Sequence, residues 1–197
     1  MTKTFIAASV AALALSTPSL AQRAVATQAI VVDTGRIFAE CTACKAAQVQ
    51  LKSQADALQA RQRTLATPLQ TEGQAIQTAV NALAGKEPDA ALRARATAFQ
   101  QRQQAAQTEV TRGEETFNRN RSFVAQQIGA RLNPIITSTM KARGANVAVD
   151  PQSVLAYEPG LDATADVLAQ LNTALPTVSV TAPPPPAQPA RPATQGR

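Results

Sequence analysis

The chain has 197 residues, a formal net charge of +6, no His, no Trp and 3% aromatic residues. Without imidazole, Ser-His-Asp and Cys-His catalysis and imidazole-bound zinc are excluded. Abundant Ala and Gln with so few aromatics disfavour a thick globular core and favour long helices closed by a narrow seam.

The N-terminus carries one early charge, Lys3, then an apolar run from Phe5 to Leu15 and the small-residue triplet Ser19-Leu20-Ala21. This is the order of a secretory signal peptide, residues 1–21, with cleavage after Ala21 and a mature chain starting at Gln22. The run, roughly eleven residues, is too short to span a bilayer. The chain is therefore expected to be exported.

Ile30-Val31-Val32, ending at Asp33, reads as a short buried strand. Thr34-Gly35 turns the chain, and Arg36-Ile37-Phe38 begins a short helical or turn segment. Cys41-x-x-Cys44 follows at a predicted helix N-terminus, where a thiolate is stabilised. In an exported chain a structural disulfide between Cys41 and Cys44 is the expected state. An intermolecular link, redox exchange and metal binding are the alternatives. The redox reading wants a thioredoxin-like βαβ setting, and this helix runs into a seam instead. Two thiolates without His do not complete a tetrahedral site in one chain.

From Lys45 the pattern is helical. Leu51, Ala55, Leu58, Leu65, Leu69, Ile76, Ala79 and Leu83 follow a spacing of threes, fours and sevens, interrupted at Gln62 and Glu72. Such alternation keeps one stripe on one face, as in coiled coils. Gly85-Lys86-Glu87-Pro88-Asp89 forms the tip, with Gly ending one helix and Pro in the first turn of the next. A second stripe runs through Leu92, Ala96, Phe99, Gln103, Ala106, Val110, Gly113, Phe117, Asn120 and Val124, and continues through Ile128, Leu132 and Ile135. Two nearly equal stripes about a short turn predict an antiparallel helical hairpin, on the order of 60 Å long. Pro68, Gly73 and Gly113 interrupt it and read as points where the rod bends.

Asn133-Pro134 is expected to mark where the second arm leaves the hairpin, and Gly144 to end the returning helix. Val147–Asp150 and Ser153–Tyr157 read as two strands about the Asp150-Pro151-Gln152 turn. Asp162 is placed to cap a closing helix bearing Val167, Leu168 and Leu171. With Ile30–Val32 this makes about three short strands, a small sheet whose open edges oligomerisation would close. Beyond Pro176 the Pro-rich segment reads as a disordered tail.

The predicted organisation is therefore a signal peptide (1–21), a first strand and lead-in to the long helix (22–44), a hairpin arm (45–132), a returning helix, two strands and closing helix (133–175), and a tail (176–197). Basic residues exceed acidic ones by thirteen to eight between Arg36 and Arg131, a positive field suited to anionic partners. Lys86, Arg93, Arg95, Arg102, Arg112, Arg119 and Arg121 are the candidate contacts to anionic lipid or a polypeptide client. Export argues against nucleic acid. Glu72, Glu87, Asp89, Glu109, Glu114 and Glu115 are scattered along the chain, and the Glu114-Glu115 pair reads as a solvated face. No phosphate loop, metalloprotease helix or nucleophile elbow is present, so no catalytic, cofactor or metal residue is assigned.

Two anchors resemble the Skp/OmpH periplasmic chaperones. The first runs from Ala29-Ile30-Val31-Val32-Asp33 through Arg36-Ile37 to Lys45-Ala46-Ala47-Gln48. The second runs from Leu132-Asn133-Pro134-Ile135-Ile136 through Val147–Asp150 and Val154–Tyr157 to Leu161–Leu168. The resemblance implies an α+β, mainly α fold: a homotrimer whose small β body carries three projecting hairpins around a cavity. It implies an ATP-independent, non-enzymatic holdase for unfolded outer-membrane β-barrel proteins, whose basic arms meet lipopolysaccharide or acidic lipid. Cys41 and Cys44 stand where that family has Ser, Pro or Gly, and the tail is extra. A lipopolysaccharide site does not transfer residue by residue. The rival readings are a coiled-coil adaptor of the envelope without clients and a disulfide exchanger using Cys41 and Cys44.

Overall fold

A computed structural model describes residues 26–185; the expected signal peptide lies outside them. The elements are β1 (Ala29–Val31), α1 (Thr34–Glu40), α2 (Thr42–Ala82), α3 (Ala90–Ala142), β2 (Val147–Val149) and α4 (Thr164–Ala174). Two 3-10 turns, Pro151–Ser153 and Pro159–Leu161, separate β2 from α4.

The two long helices have 41 and 53 residues, or about 60 and 80 Å at 1.5 Å per residue. They fold back on each other at Leu83–Asp89. Gly85 takes φ +89° in that turn, a conformation a side chain resists. Pro88 stands outside the second helix, whose cap is Asp89, accepting from the Leu92 N–H at 2.7 Å.

The half-buried positions of α2 beyond the root include Leu51, Ala55, Leu58, Gln62, Leu65, Leu69, Glu72, Ile76 and Ala79, with Leu83 at its C-cap, the expected stripe with its two polar members. In α3 the same holds for Leu92, Ala96, Phe99, Ala106, Val110, Gly113 and Phe117, while Gln103 is exposed. No residue from 48 to 119 is fully buried. Two helices alone enclose a seam from one side only, so the arm holds its shape by many partial contacts.

The body is where burial becomes complete. Ile37, Ala163, Val167 and Leu171 have no exposed surface, joined by Cys41, Ala43, Cys44 and Ala47 and by Val124, Ile128 and Leu132 of α3. Asp33 caps α1 through the Arg36 N–H at 2.7 Å, so Thr34-Gly35 begin a helix and do not turn the chain. Arg143 ties the end of α3 to α4, donating to Asp166 at 2.6 Å and to the Asp162 carbonyl at 3.1 Å. Asp162 takes the Thr164 N–H at 2.8 Å, ahead of the first turn of α4.

Three expectations need correction. First, Asn133-Pro134 does not separate the second arm from the returning helix: the two are one helix, which ends at Gly144 as expected. α3 runs through Pro134 to Ala142 and stops at Gly144, φ +67°. One proline removes a single helical N–H. The carbonyl it orphans belongs to Ala130, which is exposed to solvent, while buried Leu132 and Thr139 hold the rod to the body.

Second, the sheet has two strands. β1 and β2 pair in parallel, Ala29 with Val147 through Val31 with Val149, and Val31 makes one further bridge to Asp162. Ser153–Tyr157 is not a strand. Pro151 opens a 3-10 turn, Pro159 opens another, and the segment between finds no ladder among the described residues, leaving Leu155 fully exposed.

Third, the tail does not begin free at Pro176. Val178 and Val180 pack against the buried cluster at the root of the hairpin. Thr177-Val178-Ser179-Val180-Thr181 alternates polar and branched apolar residues, which lets an extended chain bury one edge.

Candidate functional site

The hairpin is the feature around which a function can be built. Its seam is polar wherever the apolar stripe fails. Glu72 of α2 receives Arg95 of α3 through two bonds, 2.8 and 3.1 Å, and Arg102 approaches the same carboxylate at 3.4 Å. Further down, Arg61 holds Glu109 and Gln62 donates to Glu114 at 3.1 Å. These rungs cross between the arms. Arg95 holds the Glu72 carboxyl below its ordinary range, chiefly by hydrogen bonding, and Arg61 does the same to Glu109. Glu72, Glu109 and Glu114 are thus clasps between helices, where the sequence pattern shows only scattered carboxylates.

The two seam glycines have a packing reason. A Cβ at Gly113 would lie 2.6 Å from Leu58 Cδ1, and one at Gly73 would lie 3.2 Å from the Phe99 ring. Each glycine makes room for a large side chain from the opposite arm. Near Pro68 lies an open cleft of about 360 Å³, lined by Leu65, Leu69, Arg102, Ala106 and Glu109.

The seven candidate cationic contacts are dispersed. Arg95 and Arg102 are engaged with Glu72. Lys86 lies exposed in the tip turn, and Arg93, Arg112 and Arg121 are exposed along α3. Arg119 is half-buried near the root, with its Nε shielded from solvent and without a hydrogen-bond partner among the described residues. Arg93 and Arg121 stand 28 positions apart on one helix, about 42 Å. They form a long positive rod and no single pocket.

The Cys41 and Cys44 sulfurs are joined within the chain, and both residues are buried, at 1% and 2% exposure. Cys41 Sγ accepts the Cys44 N–H at 3.0 Å and so caps α2. The Thr42 N–H beside it goes to Asn172 of α4 at 2.9 Å. The pair staples the start of the arm to the body. No group of three or more Cys, Asp or Glu side chains placed to hold a metal occurs among the described residues. No helix among them is long and apolar enough to cross a membrane.

Sequence reasoning missed a polar cluster at the root. Asn120 (6% exposed) donates to Gln54 across the arms at 2.9 Å. Gln54 donates to the Val180 carbonyl, Asn120 accepts the Ala182 N–H, and Gln127 bonds both backbone groups of Ser179. Asn120 sits on the apolar stripe of α3, and an amide on that stripe was the one signal available in the sequence.

A model of the OmpH-like outer membrane proteins matches residues 28–171. The chain belongs to the OmpH-like family. That span takes in the body and the whole hairpin and stops within α4, short of the docked segment 177–182. Among solved structures, the fold matches that of a candidate OmpH-like outer membrane chaperone from Caulobacter crescentus CB15, with a TM-score of 0.63 and 20% identity, over 79% of this chain and 90% of that one. A search of curated proteins finds no match. The hairpin lies wholly within the matched span, while the docked segment at its root lies beyond it.

Proposed function

We propose that this OmpH-like protein is an ATP-independent periplasmic holdase that binds unfolded outer-membrane β-barrel proteins and delivers them toward the outer membrane. Family membership supports the chaperone role. The observation that carries the finer reading is the arm itself: a rod about 60 Å long with no fully buried residue from 48 to 119. A client held by such a rod meets many partial apolar contacts and scattered cations, and no machinery that needs a nucleotide. The positive field attracts acidic groups from a distance, with anionic lipid or lipopolysaccharide as further partners.

The working form in this proposal is a homotrimer. A two-stranded sheet leaves edges open, and Val147 of β2 and Leu155, Tyr157 and Leu161 after it in the chain are exposed. Strands and apolar side chains of neighbouring copies would cover them. Three arms about one axis raise the effective concentration of weak contacts, so affinity comes from multiplicity.

Light scattering tests this. The purified mature protein should suppress aggregation of a urea-unfolded β-barrel protein on dilution, at about one trimer per client and without ATP. Undiminished aggregation at a several-fold excess of trimer would overturn the holdase reading and favour an envelope adaptor.

A further inference from the structure

The segment Thr177–Ala182 crosses the root of the hairpin, running from Thr177 to Ser179 and then bending at Val180 and Thr181, and its mode of attachment describes a binding site. Burial alternates along it: Val178, Val180 and Ala182 are half-buried, while Thr177, Ser179 and Thr181 are exposed. The two valines pack against the buried cluster of the root. The polar contacts go to backbone. The Gln127 side-chain amide donates to the Ser179 carbonyl at 2.8 Å and accepts the Ser179 N–H at 3.0 Å, as a neighbouring strand would. Gln54 Nε2 donates to the Val180 carbonyl at 3.2 Å. The Ala182 N–H donates to Asn120 Oδ1 at 2.9 Å, and Asn120 in turn donates to Gln54.

Main-chain bonds give affinity without reading sequence, and shallow apolar sites at every second residue select the pattern. We infer that the root groove formed by Gln54, Asn120 and Gln127 is a binding site for an extended polypeptide with branched apolar side chains at alternate positions. In this assignment Thr177–Ala182 is its built-in occupant, displaced when such a segment arrives from another chain. The partner chemistry follows from the occupant. Strands of transmembrane β-barrels carry this same two-residue alternation. The inference rests on the holdase reading for its partner and adds to it a place on the arm where an unfolded barrel strand docks.

A tethered occupant competes at high effective concentration, so removing it should unmask the groove. The test uses a fluorescein-labelled peptide of sequence Thr177–Ala182 and anisotropy titration against three mature proteins: the full chain, a chain ending at Pro176, and that shorter chain carrying Gln127→Ala. The peptide should bind the shortened chain at least about tenfold more tightly than the full chain, and Gln127→Ala should abolish most of that gain. A peptide of the same composition with its two valines adjacent should bind weakly. Equal, undetectable or pattern-independent binding by a shortened chain that still melts cooperatively would overturn the inference and leave the segment as a staple only. If the shortened chain does not fold, full-length Val178→Asp with Val180→Asp replaces it, with the same expectations and the same refuting outcomes. Aggregation suppression is measured in parallel on the full chain. Peptide binding without suppression refutes the holdase reading and keeps the groove, whereas suppression without peptide binding refutes the groove and keeps the holdase.

Discussion

Leu58 occupies the space that a side chain at Gly113 would need: a Cβ there would fall 2.6 Å from Leu58 Cδ1. The arms approach closely at this rung because one partner has no side chain. A glycine inside a helix costs about 1 kcal/mol against Ala, so close contact offsets a local penalty. Gly113→Val should therefore push Leu58 out of the seam and lower stability by about 1–3 kcal/mol. Hydrogen exchange should show faster opening of the amides around Leu58 and Gly113. Adding Leu58→Ala should restore part of the protection, which a purely local helix effect would not do.

Gly129 offers the opposite case. It lies within α3, and nothing comes within 4 Å of where its Cβ would be. Gly129→Ala should stabilise the helix by about 0.5–1 kcal/mol, seen as a Tm rise of about 2–4 °C by circular dichroism.

The cross-arm rungs should make the arm sensitive to acid. Glu72 and Glu109 are held below their ordinary range by Arg95 and Arg61, and Asp150 by backbone and Thr34 hydrogen bonds. Carboxyls depressed in the folded state contribute stability that is present above their unfolded pKa values and is lost as pH falls through the folded ones. Tm should therefore stay level from pH 8 to about 5 and decline below the ordinary carboxylate range, near pH 4. Glu72→Gln should flatten part of that decline. Because these pairs are exposed, added salt at neutral pH should reduce the difference between wild type and variant.

Cys41 and Cys44 close a very short loop, with a sequence separation of 3. Chain-entropy reasoning assigns such a loop about 2 kcal/mol. Cys41→Ala with Cys44→Ala should lower the urea midpoint accordingly and leave aggregation suppression intact. Loss of function with unchanged stability would revive the disulfide-exchange reading.

Leu155 is fully exposed and Tyr157 is 40% exposed in the segment that follows β2. Under the trimer proposal, Leu155→Asp with Tyr157→Asp should convert the trimer into a monomer by sedimentation. It should leave the helical content near that of the parent, since neither side chain is part of the chain's own buried cluster.

The sequence by itself determined the long rod. Leu, Ala and Ile at three- and four-residue steps specify which helix face is apolar, and Gly85 with Asp89 specifies where the chain reverses, because both signals are local backbone and periodicity effects. Tertiary structure alone decided the fate of residues whose conformation depends on distant partners. Pro134 stays inside a helix because the body holds Leu132 and Thr139 on either side of it. Ser153–Tyr157 has strand-forming residues but no partner strand among the described residues. Gly113 reads as a weak point until Leu58 is seen facing it, and Thr177–Ala182 reads as loose tail until Gln54, Asn120 and Gln127 meet its backbone. Periodicity reports which side of an element is apolar; it carries no information about what arrives from a hundred residues away to cover it.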